Sequence, residues 1–467
     1  MKKERLTIKD IILGLEKKSF SSVELTQFYL DQIDKKNPQI NAFITVCKKE
    51  ALLQAKTADK LLEKGIKKPL LGVPLAIKDI FLTKGIKTTA ASKVLSDFIP
   101  VYDATVVAKL KEAGAIILGK TNMDAWAHGS SGENSDFGVT QNPWQKGFVP
   151  GGSSSGSAAC VAADLAPAAT GTDTGGSIRL PASFCNLVGL KPTYGRVSRY
   201  GIIAMSSSLD AIGHLTKTVY DSALLLNITA GKDKTDATTP KIDVPDYTQN
   251  LGKSIKGLKI GLPKQYFQDG LDKEVLLQTQ KAIKVFQDLG ANIVEIDLPH
   301  TKYALAVYYI IQPAEVSSNL ARYDGIRYGL DRTYFGNEAK RRIMLGAFSL
   351  SSGYWDAYYL KAMQVRTLIK DDFENAFKKV DLILTPTSPT LPFKIGQKTK
   401  QPLQMYLSDI FTVTANLAGI PGLNLPSGFV NGLPTGIQLL GPQFSEDLLF
   451  QAGSQYEQKT NFYQKTK

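Results

Sequence analysis

Two Gly-Gly-Ser triplets, Gly151-Gly152-Ser153 and Gly175-Gly176-Ser177, flank an alanine-rich stretch between Gly151 and Ser183. A serine hydroxyl becomes a nucleophile when a base takes its proton. Adjacent glycines let backbone approach backbone or substrate closely. The second triplet lies in GTDTGGS, which can aim several N–H groups at one developing negative charge, as an oxyanion hole requires. Only His128, His214 and His300 are available as histidine bases, in unrelated contexts, so a lysine is the candidate. It must be neutral to accept a proton, and burial disfavours the charged form. Lys78 suits that role because it ends the apolar run GVPLAI, although most lysines at strand ends reach out to water. The plain alternative is loop, helix, loop, with SAACVAADLAPAA as a buried helix.

A second chemical pattern is misleading. Gly114 to Thr121 reads GAIILGKT and satisfies the phosphate-binding pattern G-x-x-x-x-G-K-[ST], with Lys120 as its lysine. That pattern works as a flexible loop after a strand. Here a helical pattern precedes Gly114, and Ala-Ile-Ile-Leu reads as a buried strand that cannot curl around phosphate.

The elements that must carry these residues alternate between two periodicities. Ser21 with Glu24 forms a capping box that opens an amphipathic helix. LLGVPLAIKDIF reads as a short buried strand stopping at Lys78 and Asp79, and DATVVAKLKEAG as a helix capped by Asp103 and closed by Gly114. Helix, glycine and strand recur in KEVLLQTQKAIKVFQDLGANIVEIDLP, after the strand-like LKIGLP. DLILTP reads as a later strand, and Asn431-Gly432 as a tight hairpin turn. The rhythm predicts an α/β protein with one large domain over residues 1–467. A helical segment over about 1–60 packs on the core, and residues 233–256 form a polar surface excursion.

Composition excludes some classes. With 43% hydrophobic and 21% charged residues, the 467-residue chain reads as globular and able to bury a sizeable core. No apolar run is long enough to span a bilayer, and the start is too charged for a signal peptide, which points to a cytoplasmic setting. Cys47, Cys160 and Cys185 have no metal-ligand spacing and read as reduced, buried thiols. The net charge of +13 is spread along the chain without a basic block, so it does not by itself identify a nucleic-acid partner.

GVPLAIKD, GKTNMD, PGGSSSGSAA and GTDTGGSIRLPASFCNLVGLKPTYGRVSRYG together closely resemble the amidase signature family, and the resemblance covers nearly the whole chain. It implies the amidase signature fold, a large mixed β-sheet surrounded by helices. It also implies a Ser–cis-Ser–Lys triad, with Lys78 as base, Ser153 as the cis serine and Ser177 as nucleophile. Thr174, Gly175 and Gly176 would then supply the oxyanion hole.

Within that family, EAKRRIMLGAFSLSSGYWDAYYLKAMQVRTLI and PLQMYLSDIFTVTANLAGIPGLNLP are similar to the glutaminase subunits of tRNA-dependent amidotransferases. This branch implies a clamp for free glutamine, in which Arg342 pairs with the α-carboxylate and Asp409 with the α-ammonium, with Tyr308 as a further contact. It implies no metal or nucleotide in this chain. ATP and Mg²⁺ would serve a B-type kinase/transamidase partner acting on mischarged tRNA, either Glu-tRNA(Gln) or Asp-tRNA(Asn), and a small C-type subunit would complete a heterotrimer. A free-standing amidase for small amides is the alternative. Three departures stand out: Ala125-Trp126-Ala127-His128 replaces the usual Glu-Phe-Ala-Met, Ser155 replaces a common glycine, and the segment between Tyr328 and Phe335 is short.

Overall fold

The computed structural model describes residues 5–268, 270–327 and 329–464; Tyr328, at the edge of the short segment, lies outside them. Among the described residues eleven strands form one mixed sheet: β1 (Phe43–Val46), β2 (Pro74–Lys78), β3 (Ile116–Thr121), β4 (Ala168–Asp173), β5 (Val188–Lys191), β6 (Ala211–Thr216), β7 (Lys259–Pro263), β8 (Asn292–Ile296), β9 (Leu382–Pro386), β10 (Gly422–Val430) and β11 (Leu433–Leu440). Their spatial order is β1-β3-β2-β4-β6-β5-β10-β11-β9-β7-β8. β2 runs parallel to both β3 and β4, and β7 runs parallel to β8 and β9; the remaining neighbours are antiparallel. The central strands β2 to β6 are buried along their whole length. Helices cover the sheet, as strands apolar on both faces require.

Local sequence explains many boundaries. Ser21 caps the helix Ser22–Ile40, its side chain accepting from the Glu24 N–H while Glu24 caps the Ser21 N–H in return. The hairpin between β10 and β11 turns at Asn431 and Gly432, with φ of 51° and 79°, the left-handed pair that a two-residue turn requires. Gly114, with φ of 94°, ends the helix Thr105–Glu112 and leads into β3.

Three expectations change in detail. Asp103 is not the cap of the helix Thr105–Glu112; its carboxylate takes the Lys84 N–H and pairs with Lys111. The alanine-rich stretch is helix only over Ser155–Ala162, and from Ala168 onward it is strand β4. Pro167 lacks an N–H, and the following Ala-Ala-Thr-Gly-Thr run pairs antiparallel with β6, so sheet pairing overrides alanine's helix preference. Residues 233–256 are irregular, but they are tied down rather than merely looping outward. Arg196 donates to the Ile242 and Asp243 carbonyls and to the Tyr247 hydroxyl, and Tyr247 is buried.

The phosphate-binding pattern is structural. Lys120 sits inside β3, fully buried, 3.4 Å from the Asp79 carboxylate and donating to the Phe81 carbonyl and the Thr88 hydroxyl. No helix among the described residues is long and apolar enough to cross a membrane.

Candidate active site

Three chain segments meet at the two Gly-Gly-Ser turns. β2 ends at Lys78, the first turn precedes the helix Ser155–Ala162, and the second leaves β4 for the helix Arg179–Phe184. Since β2 and β4 are sheet neighbours, the lysine is delivered beside both turns. Lys78 Nζ lies 2.9 Å from Ser153 Oγ, 2.9 Å from Ser154 Oγ and 2.8 Å from Thr172 Oγ1. Burial pushes its ammonium down to about 7, although Asp124, Asp173 and Asp210 pull the other way. A lysine with that pKa is about half neutral, and so available as a base, at pH 7.

The Gly152-Ser153 peptide bond is cis. Gly152 is confined on all sides: a Cβ there would lie 2.0 Å from Asp124 Oδ2, 2.8 Å from the Ser131 nitrogen and 2.9 Å from the Gly132 nitrogen. Asp124 cannot retreat, because it accepts the N–H groups of Gly132 and Asn134. The two turns are joined by backbone, the Ser154 N–H donating to the Ser177 carbonyl at 3.2 Å.

Ser177 differs from its neighbours. Its hydroxyl has no hydrogen-bond partner among the described residues, whereas Ser153 is held by Lys78. Among the described residues no hydrogen bond joins the Ser153 and Ser177 hydroxyls, so the structure brings Lys78 and Ser153 into direct contact and leaves Ser177 beside them. The N–H groups of Thr174, Gly175 and Ser177 are likewise without acceptors among the described residues. Gly176 departs from expectation, because its N–H already donates to Asp173 Oδ1 at 2.8 Å.

Asp173 anchors the second turn. It also accepts the N–H groups of Ile178 and Arg179, pairs through both oxygens with the Arg179 guanidinium, and takes the Asn416 amide. Burial alone raises its pKa, but Arg179 outweighs that and holds it down at about 2. Motif reading misses this buried pair; an arginine two residues after the turn, in an otherwise apolar helix, is its one signal.

A cavity of about 210 Å³ is lined by Ser130, Glu338, Arg342, Lys398 and Tyr406 among others, and Ser130 ties it to the first turn by accepting the Gly152 N–H. Arg342 is fixed by Nε to Glu338 Oε1 at 2.9 Å and by one terminal nitrogen to Gln312 Oε1 at 2.7 Å, while its other terminal nitrogen is uncommitted. Its guanidinium lies 5.2 Å from the Tyr309 ring centroid. Tyr309 in turn donates from its hydroxyl to Asp409 Oδ2 at 3.4 Å, and Ser130 Oγ donates to the same oxygen at 2.5 Å. Asp409 Oδ1 has no partner among the described residues. Burial raises the Asp409 carboxyl to about 7, against the lowering effect of Ser130, Arg342 and Tyr309. Tyr308 is buried against the second turn, so that a Cβ on Gly175 would lie 2.7 Å from its hydroxyl. Thus Arg342 lines the cavity, Asp409 is joined to it through Ser130 of the same lining and through Tyr309, and Tyr308 packs on the second turn. Tyr309, Ser130, Gln312 and Glu338, which hold them, carry no signal in the sequence.

Larger depressions, of about 860, 780 and 460 Å³, lie among the N-terminal helices, beside Tyr266 and Phe411, and beside Gln278 and Phe429. None of them, unlike the smaller cavity with Ser130 in its wall, is lined by a residue bonded to either Gly-Gly-Ser turn. Among the described residues no group of three or more His, Cys, Asp or Glu side chains is placed to hold a metal ion.

The chain matches the Amidase family over residues 24–450. It belongs to the amidase family. The A subunit of the Trichlorobacter lovleyi glutamyl-tRNA(Gln) amidotransferase is 55% identical over 98% of each chain. Among solved amidase structures, the A subunit of the Thermotoga maritima glutamyl-tRNA(Gln) amidotransferase superposes with a TM-score of 0.85 at 42% identity, covering 98% of this chain and 96% of that one. The peptide amidase of Stenotrophomonas maltophilia superposes with a TM-score of 0.87 at 31% identity, covering 98% of each chain. The amidase fold is therefore shared by both kinds of relative, and sequence identity separates them.

Proposed function

We propose that this chain is the glutaminase subunit of a tRNA-dependent amidotransferase and that Ser177 is its nucleophile. The observation that carries the reading is the pairing of an uncommitted guanidinium nitrogen on Arg342, which lines the cavity, with an uncommitted carboxylate oxygen on Asp409, held beside it by Ser130 of the cavity lining and by Tyr309. These two opposite charges match the α-carboxylate and α-ammonium of an amino acid. Full-length identity to amidotransferase A subunits favours glutamine as that amino acid.

Neutral Lys78 has two N–H groups and one lone pair, so one of its three hydroxyl contacts must be reversed. Ser154 is not the donor, because its own hydrogen points to the Thr172 carbonyl. That leaves Ser153 or Thr172, and of these Ser153 lies in the turn bonded to the Ser177 carbonyl, so it is the one that donates to Lys78 and accepts from Ser177 once the Ser177 side chain turns onto it. Ser177 Oγ then attacks the glutamine side-chain carbon, and its proton passes through Ser153 to Lys78. The N–H groups of Thr174, Gly175 and Ser177 take the oxyanion in place of Gly176, whose N–H serves Asp173. The relay returns the proton to nitrogen, the C–N bond breaks and ammonia leaves a γ-glutamyl ester on Ser177. Water hydrolyses the ester by the same relay and releases glutamate. The ammonia goes to a B-type partner, which uses ATP and Mg²⁺ to activate the glutamyl group of mischarged tRNA, with a small C-type subunit joining the pair. Cytoplasmic location follows from that role.

Ammonia release from glutamine and from simple aromatic amides tests this directly. Glutamine-selective release that is lost in Ser177→Ala and increased by the partners is the expected result. Turnover of simple amides with glutamine ignored makes the chain a free-standing amidase.

A further inference from the structure

Ser130 links the two halves of the site. Its hydroxyl donates to Asp409 Oδ2 at 2.5 Å, and its carbonyl accepts the N–H of Gly152 at 2.9 Å, at the start of the cis elbow. One buried residue of the cavity lining thus touches the Asp409 carboxylate with its side chain and the lysine-bound serine turn with its backbone. The adjacent turn is equally constrained, since Gly129 has no room for a Cβ against Asp124.

We infer that Ser130 is a positioning residue for recognition of the substrate's α-ammonium group, holding Asp409 with one oxygen outward and fixing its distance from the elbow. The inference rests on the reading that Asp409 receives that ammonium. Asp409 is buried, and the titratable groups that act on its charge are Arg342 from the helix Asn337–Ser349, Tyr308 and Tyr309 from the helix Ala304–Asn319, Asp173 at the end of β4, and Lys398 from the preceding loop. A carboxylate so buried depends on its hydrogen-bond donors to remain ionised, and Ser130 is its shortest. Tyr309, at 3.4 Å, is a poor substitute.

The substrate pair that isolates this role is glutamine and glutaramate, the same five-carbon amide acid without the α-amine. With the chain assembled with its partners, the ratio of kcat/KM for glutamine to that for glutaramate should fall about tenfold or more in Ser130→Ala, the effect of losing one hydrogen bond to a charged group. Ser130→Thr, which keeps a hydroxyl, should recover most of the ratio and guards against a folding defect. In Ser130→Ala the acidic limb of the glutamine profile should also move to higher pH, because losing the donor makes Asp409 easier to protonate; a merely structural serine leaves that limb in place. If Asp409→Asn loses the ratio and Ser130→Ala keeps it, the inference about Ser130 is wrong and the reading of Asp409 stands. If Asp409→Asn keeps the ratio, that reading fails and the inference fails with it. Equal loss on both amides in Ser130→Ala places its role in the elbow alone and also overturns the inference.

Discussion

Lys78 Nζ lies 2.9 Å from the Ser153 hydroxyl oxygen, and both side chains are fully enclosed. The lysine's other two contacts are also hydroxyls, of Ser154 and Thr172, so no carboxylate among the described residues touches it directly. Burial without a bonded counter-ion is the arrangement that makes a lysine a base rather than half of an ion pair.

The pH profile should follow from this. Lys78 works neutral, and burial holds it at about 7, so kcat/KM for an amide lacking an α-amine rises with pH through about 7 and then levels off. Lys78→Arg cannot be deprotonated and should reduce turnover by about 10³-fold or more at every pH in that range. Initial rates of ammonia release from below to above neutrality measure both, and a flat wild-type profile would remove Lys78 from the base role.

Gly152 should tolerate no side chain. In Gly152→Ala the methyl meets Asp124 and two backbone nitrogens that have nowhere to go. Amide hydrolysis should fall by about 10²-fold or more, with a stability loss of about 1–3 kcal/mol. Steady-state rates and a urea melt check both, and an active, stable variant would contradict the packing described.

Lys120 should matter for stability and not for nucleotide. Lys120→Ala leaves Asp79 buried without its cation and should cost about 3–5 kcal/mol. Denaturant unfolding gives that number. Calorimetry of the isolated wild-type chain should detect no ATP binding for the substitution to remove.

Trp126 accounts for two of the departures in sequence together. Its ring is stacked on Phe335, with centroids 5.2 Å apart, and lies 4.8 Å from Tyr323, so the Ala-Trp-Ala-His turn is packed against the start of the arginine-bearing helix through Phe335. Trp126→Ala should cost about 3–5 kcal/mol and raise KM for glutamine more than it lowers kcat, because it loosens the pocket wall and leaves the turns intact. Thermal unfolding and steady-state kinetics separate the two effects.

The local parts of this fold are written in short stretches of chain. Short apolar runs place β2, β3, β7 and β9, the Ser21–Glu24 box starts its helix, and Asn431-Gly432 turns the last hairpin. All of these depend on neighbours a few residues apart. The motifs also single out Lys78, Ser153, Ser177, Arg342 and Asp409 without any geometry. What holds those residues is set by long-range packing. Ser130 meets Asp409 across 279 positions, Arg179 meets Asn416 across 237, and Lys78 meets Thr172 across 94. The same packing commits the Gly176 N–H to Asp173 and turns the tail of the alanine stretch into strand. Such pairings arise from sheet order and helix packing, and the energy of a buried hydrogen bond depends on what encloses it, which no local pattern encodes.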